Sequence, residues 1–175
     1  MPYLPTNFGL LEPQDSDYRT SRVAVLPVPF ERTTSYGKGT AQGPAAILRA
    51  SQSMELWDEE LQSEPYRLGI ATLPPYLPEA YDMEGAMAEL ADECRRHIDT
   101  GKFLVTLGGE HSLSIAPIRA VPAGASTLDV CSVLTTVPGT PPGAPDLVLH
   151  DRSARNASVV VELLRPNGYR QSAPL

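Results

Sequence analysis

Residues 103–121 read FLVTLGGEHSLSIAPIRAV. Phe103–Leu107 is a short apolar run with no helical stripe, which predicts a strand buried on both faces. It stops at Gly108-Gly109, where the backbone can turn sharply. Glu110, His111 and Ser112 follow, and a helical pattern runs from Ser112 to Ala120. Strand, glycine turn, polar tip and helix in direct succession suit a parallel sheet, whose strands need crossover helices between them.

The chain upstream has the same rhythm. Val23–Phe30 (VAVLPVPF) predicts a strand that must end near Pro27 and Pro29, because each removes a ladder donor. Residues 31–43, ERTTSYGKGTAQG, form a polar, glycine-rich loop, and Pro44 to about Gln52 predicts a helix with proline in its first turn. The acidic stretch Glu55–Leu61 reads as a strand or a turn around Trp57. Arg67–Leu73 (RLGIATL) reads as a second strand, closed by Pro74-Pro75. Asp82 is an N-cap candidate for a helix whose stripe is Met83, Met87, Leu90, Cys94 and Ile98, with Gly101 as its C′ residue. The fold class expected is therefore α/β with a mainly parallel sheet.

Residues 1–20 are polar and proline-dotted and read as an N-terminal arm, with the sheet-forming segment at 21–121. From residue 122 the pattern changes. Leu128–Val137 predicts one strand, Pro138–Pro145 an extended linker, and Leu147–Leu149 a short strand. Asn156 would cap a helix through Val159-Val160 and Leu163-Leu164 to Pro166. This 122–175 segment reads as a divergent Pro/Gly-rich tail, for which a shifted reading frame or a degenerate segment is the expected origin.

The formal charge of −7, with Arg95-Arg96 the only adjacent basic pair, argues against a nucleic-acid partner. No apolar run is long enough for a membrane span, and MPYLPTNFG has no signal-peptide pattern, so the expectation is a cytoplasmic protein without a membrane partner. Two cysteines, Cys94 and Cys131, make neither a disulfide framework nor a zinc site; Cys94 falls on a helix stripe and reads as a buried thiol.

In open α/β sheets, ligands bind beyond the carboxyl ends of the strands. A neutral imidazole there is a metal ligand, and a neighbouring carboxylate can orient its second nitrogen. His111 and Glu110 suit that reading. Two others stand beside it: a plain turn with Ser112 as N-cap and His111 solvated, and a phosphate cradle, which Glu110 opposes with its charge. His97 borders a helix stripe and reads as structural. His150 with Asp151 reads as solvated loop. Tyr36 and Lys38 lie in the glycine-rich loop, where they could line a pocket mouth or be plain loop residues. Asp58-Glu59-Glu60 reads as a solvated face.

LVTLGGEHSLSIAPIRA closely resembles the first metal-binding motif of the ureohydrolase (arginase and agmatinase) family. TSYGKGTAQGPAAILRASQSMELWDEEL and RLGIATLPP are similar to its agmatinase branch, in order, over about residues 21–121. The resemblance implies a three-layer α/β/α, arginase-like domain, here truncated to its N-terminal portion. It also implies hydrolysis of a guanidino compound, agmatine giving putrescine and urea in polyamine biosynthesis, two manganese ions with His111 as one ligand, and a homo-oligomer. Guanidinium is a resonance-stabilised cation and needs a strong nucleophile, which two metals supply as hydroxide. The family's later motifs, D-x-H-x-D and D-x-D-x-x-D-P, do not occur. Leu147-Val148-Leu149-His150-Asp151 comes nearest, with Val148 and Arg152 where aspartates should stand. No catalytic residue is assigned, and little or no activity is expected of this chain alone. The alternative is a non-catalytic fragment that associates with a full-length homologue. An open sheet edge predicts marginal stability.

Overall fold

A computed structural model describes residues 7–35 and 37–121, and the backbone of 128–133, 146–153, 160–164 and 170–174. The chain divides into two compact units, Met1–Ala120 and Val121–Leu175.

In the first unit the elements run α1 (Pro13–Ser16), β1 (Val23–Val28), α2 (Gly43–Ser51), β2 (Ile70–Thr72), α3 (Met83–Asp99), β3 (Phe103–Gly108) and α4 (Ile115–Ala120). The three strands form a parallel sheet in the order β2-β1-β3. Val23 pairs with Ile70 on one side and Phe103 on the other, and the β1–β3 register runs on to Val28–Gly108. The expected parallel α/β architecture is what this unit adopts.

β1 is the central strand, and its side chains alternate between two buried layers. Ala24, Leu26 and Val28, with Phe30 beyond the strand end, pack with Ala86, Met87, Leu90, Ala91 and Cys94 of α3 and with Leu113, Ala116 and Ala120. Val25 points to the other face, the side of α2, whose Leu48 is also buried. Right-handed crossovers to β2 on one side and β3 on the other place α2 and α3 on opposite faces. The stripe of α3 is the predicted one, with Met83 and Ile98 packed at its margins. Asp82 Oδ1 accepts the Gly85 N–H at 2.8 Å, and the chain leaves the helix through Gly101 at φ +76°.

Pro27 sits inside β1. The N–H of Val23 donates to Gly69 O on the β2 side, so Val25 and Pro27 face that side too. β2 ends at Thr72, opposite Val25, and the donor that Pro27 lacks therefore has no strand to meet.

Several boundaries differ from expectation. Arg67 and Leu68 belong to a 3-10 turn, Pro65–Leu68, and β2 is only three residues long. Gly69 turns with φ +77° against Ser21, where a Cβ would stand 2.6 Å from the Ser21 Cα. Residues 55–61 form turns closed by an isolated bridge, Asp58–Ser63, with Trp57 half exposed. The helix expected from Ser112 begins as a 3-10 turn, His111–Ser114, before α4. A start at Ile115 keeps Pro117 within the first helical turn, where its missing N–H costs nothing. The N-terminal segment is tied to the sheet: the Phe8 N–H donates to Thr72 Oγ1 and the Gly9 N–H to Ser51 Oγ, with Asn7 and Leu11 buried.

The second unit is an antiparallel sheet of β4 (Leu128–Val133), β5 (Asp146–Ser153), β6 (Val160–Leu164) and β7 (Arg170–Pro174), paired in chain order. A strand stands where a helix through Val160 and Leu163-Leu164 was expected. The β-branched run Val159-Val160-Val161 favours extended backbone over the apolar spacing that suggested a helix. The Asn156 cap, residues 134–137 and the Pro138–Pro145 linker lie outside the described residues.

Candidate functional site

The carboxyl ends of β1 and β3 lie side by side, because Val28 pairs with Gly108. The Gly109-Glu110-His111 turn lies directly at this point. Gly109 is pressed against the residues that follow β1: a Cβ there would stand 2.2 Å from the Phe30 carbonyl oxygen and 3.1 Å from Thr40 O. Only glycine admits this approach.

Glu110 is buried, at 8% exposed. Its Oε2 accepts the backbone N–H groups of Arg32 (2.7 Å) and Thr33 (2.8 Å), and its Oε1 accepts the hydroxyls of Thr33 and Ser112, each at 2.5 Å. Burial pushes this carboxyl up, but the bonds from Ser112, Thr33 and Arg32 outweigh it and hold Glu110 below the ordinary carboxylate range. Both oxygens are thus committed to protein donors. The expectation that Glu110 orients an imidazole is corrected: its carboxylate fastens the turn after β3 to the loop after β1.

Two neighbours extend this clamp. Glu31 accepts the Gly39 N–H with both oxygens, at 2.8 and 2.9 Å, and the Ala41 N–H at 3.3 Å, which closes the glycine-rich loop on itself. The Arg32 guanidinium stacks 4.9 Å over the Phe30 ring and donates to the carbonyls of Pro78, Ala80 and Tyr81. These roles were missed in the sequence; the only signal was a pair of charged residues placed directly after a strand.

His111 is exposed and opens the 3-10 turn. It is presented at the sheet's carboxyl edge by Gly109 and Glu110, as the motif implied. Ser112 is no N-cap; its hydroxyl is turned to Glu110. Lys38 is exposed and reaches Thr34 Oγ1 at 3.1 Å, within its own loop, while Tyr36 lies outside the described residues. His97 is buried and held by the Tyr18 hydroxyl at 2.8 Å and by Glu93 at 3.2 Å, a structural bond between the N-terminal segment and α3. Cys94 is fully buried, and burial pushes its thiol up to about 11. His150 lies on β5 in the second unit, opposite Cys131 in the register. A cavity of about 230 Å³ touches Trp57, Phe8 and Ile70. Ile70 begins β2, so this cavity is at the other end of the sheet from His111 and takes no part in its chemistry.

Among the described residues no group of three or more His, Cys, Asp or Glu side chains could hold a metal ion. His111 is exposed, and the carboxylate of Glu110 beside it is already bonded to Arg32, Thr33 and Ser112. The donors present do not fit a two-ion centre.

The arginase family pattern matches residues 21–133, past the point at Val121 where the quoted motifs stop. An N(1)-aminopropylagmatine ureohydrolase of Synechocystis is 38% identical over 116 residues, covering 63% of this chain and 38% of that protein. One from Thermus thermophilus is 36% identical over 107 residues, covering 61% and 36%. The solved agmatine ureohydrolase of Thermoplasma volcanium superposes with a TM-score of 0.56 at 27% identity, over 62% of this chain and 37% of that one. The chain thus spans under half the length of the relatives it matches. With a parallel sheet of matching fold and a family pattern that runs through the glycine-rich loop, both crossover helices and the His111 turn, this chain belongs to the arginase family.

Proposed function

We propose that this chain carries the first part of a ureohydrolase site for a guanidino compound of the agmatine type, with His111 as its one recognisable manganese ligand. The observation that supports the reading is the presentation of His111. An exposed imidazole stands at the carboxyl edge of a parallel sheet, on a turn held by the close backbone approach at Gly109 and the hydrogen bonds of Glu110. The matched relatives are named agmatine ureohydrolase and N(1)-aminopropylagmatine ureohydrolase, and those names support a guanidino-bearing amine as the substrate class.

Guanidinium hydrolysis needs a nucleophile far stronger than water at neutral pH, and in this family manganese supplies it. His111 would be one ligand, and among the described residues no group of three or more His, Cys, Asp or Glu side chains could hold a metal ion. The chain by itself is therefore expected to release little or no urea from agmatine or N(1)-aminopropylagmatine. A homo-oligomer and a role in polyamine synthesis are part of the same reading.

The test has two arms. In an NMR titration of the purified chain, Mn(II) should broaden the signals of residues 108–112 first, and His111→Ala should abolish that selectivity. Broadening centred on Asp58-Glu59-Glu60 would remove His111 from the reading. Urea release that depends on manganese and exceeds the protein-free control would overturn the expectation of inactivity.

A further inference from the structure

The cavity of about 230 Å³ beside Trp57 is walled by two short stretches of chain. Residues 8–11 are fixed to the sheet and to α2. The Phe8 N–H donates to Thr72 Oγ1 at 2.8 Å, the Gly9 N–H to Ser51 Oγ at 2.9 Å, and Asn7 Nδ2 to Leu11 O at 2.8 Å. Residues 54–58 form the other stretch, closed by the bridge in which Asp58 and Ser63 exchange both backbone bonds, at 2.9 and 3.3 Å. Gly9 turns with φ +69° and presents bare backbone; a Cβ there would stand 3.4 Å from Leu11 and 3.6 Å from Leu56. Bonded backbone thus frames the space on both sides, as in a preformed pocket.

The lining divides by character. Phe8, Leu11 and Ile70 carry no charge. The charged lining residues are Glu55 and Asp58, both on the stretch that bears the half-exposed Trp57. Among the described residues neither acid is in an ion pair. Asp58 gives only Oδ1 to a protein donor, the Leu61 N–H at 2.8 Å. Between Arg49 and Arg67 the chain has five acids and no basic residue, and Arg67 is committed to Glu64 at 2.5 Å. A lining ring already takes a cation: the Arg67 guanidinium stands 5.0 Å over Tyr66.

These features select a ligand. Carboxylates and ring faces both attract a cation, and the uncharged side gains by burying an apolar body. An apolar cavity of roughly 150 Å³ holds a benzene ring, so this one has room for a ring and a short aliphatic arm. A dication of the agmatine type would set its second charge against Phe8, Leu11 and Ile70 without a partner. A second copy of the chain docking through this face would bring like charges together.

We propose that this cavity is a small-molecule site separate from the His111 edge, taking a primary monoamine with a ring-sized apolar body. Its ammonium lies between Glu55, Asp58 and the Trp57 ring, and its body lies against Phe8, Leu11 and Ile70.

The probe is phenethylamine, titrated into the full chain and followed by calorimetry and by Trp57 fluorescence. Saturable binding of one molecule per chain is expected, with a shift in Trp57 emission. Phenethyl alcohol, which keeps the ring without the charge, and methylammonium, which keeps the charge without the ring, should each bind at least tenfold more weakly. Glu55→Gln combined with Asp58→Asn should weaken phenethylamine at least tenfold, and Trp57→Leu at least threefold. Protection of the buried Cys94 from alkylation reports whether each variant keeps its core. The proposal is overturned by no saturable binding in the millimolar range, by equal binding of phenethyl alcohol, or by a double variant that binds as the native chain does. Displacement of phenethylamine by lower concentrations of agmatine, or self-association that buries Trp57 and that phenethylamine does not relieve, would overturn it too. His111→Ala should leave amine binding unchanged; its loss there would assign the amine to the carboxyl edge and sink the separate site. No manganese or urea measurement enters, so failure here leaves the ureohydrolase reading where it stands.

Discussion

Gly109 and Glu31 show how single residues set the geometry at the carboxyl edge. At Gly109 the close approach is to backbone, the Phe30 carbonyl at 2.2 Å from an added Cβ, and no side chain can swing aside to relieve it. Gly109→Ala should cost at least about 2 kcal/mol, at the upper end of overpacking. Gly101→Ala, which meets nothing within 4 Å and carries only a positive φ, should cost about 1 kcal/mol. Urea denaturation compares the two, and equal losses would contradict the close-contact account. Glu31 is a pH-sensitive element of the glycine-rich loop. The Gly39 N–H, then Ala41, with Lys38 and Thr34 nearby, hold its carboxyl below the usual value of 4.5 against the opposing effect of burial. A lowered folded pKa means that Glu31 stabilises the loop fully above the unfolded value, and that this contribution is lost as pH falls through the folded one. Amide exchange at Gly39 and Ala41, corrected for intrinsic rate, should accelerate below about pH 4.5. Glu31→Gln should be fast at neutral pH already; a pH-independent loop would refute the assignment.

At the scale of elements, α3 contributes more residues to the core cluster than any other single element. Its buried stripe meets β1, and the histidine on its margin joins it to the N-terminal segment. Cys94 lies on that stripe with its thiol pushed up to about 11 by burial, so at neutral pH it is neither ionised nor reachable. Iodoacetamide should leave Cys94 unmodified in the native protein and label it once denaturant unfolds the first unit, read residue by residue by mass spectrometry. Native labelling at the unfolded rate would mean that α3 is not packed as described. Leu90→Ala, in the same stripe, should cost about 2–5 kcal/mol and expose Cys94 at lower denaturant. Much of this was legible beforehand. A stripe at three- and four-residue spacing, an Asp cap and a following glycine are local signals, and all three were realised in α3. The Arg67–Leu73 strand was overcalled because apolar alternation does not register that Gly69 must turn with a positive φ against Ser21.

The whole molecule consists of two compact units of different character, a parallel α/β unit and an antiparallel sheet. Trp57, the single tryptophan, belongs to the first. Its fluorescence therefore follows that unit alone, while far-ultraviolet dichroism follows both. The two thermal transitions should not coincide, with Trp57 reporting a distinct midpoint; superimposable curves would show one cooperative molecule.

Sequence alone determined the lineage, the parallel strand–helix rhythm and the position of His111 at a strand end. These depend on residues close together in the chain, whose spacing and turn chemistry read directly. Only the tertiary structure decided what Glu110 does, since its partners Arg32 and Thr33 lie nearly eighty residues away. It also decided that β3 is an edge strand, because strand order is a long-range property that no local pattern encodes. An apolar run such as FLVTL announces burial on both faces. Whether a neighbour comes to bury it depends on the rest of the sheet, and among the described residues no strand pairs with the outer side of β3.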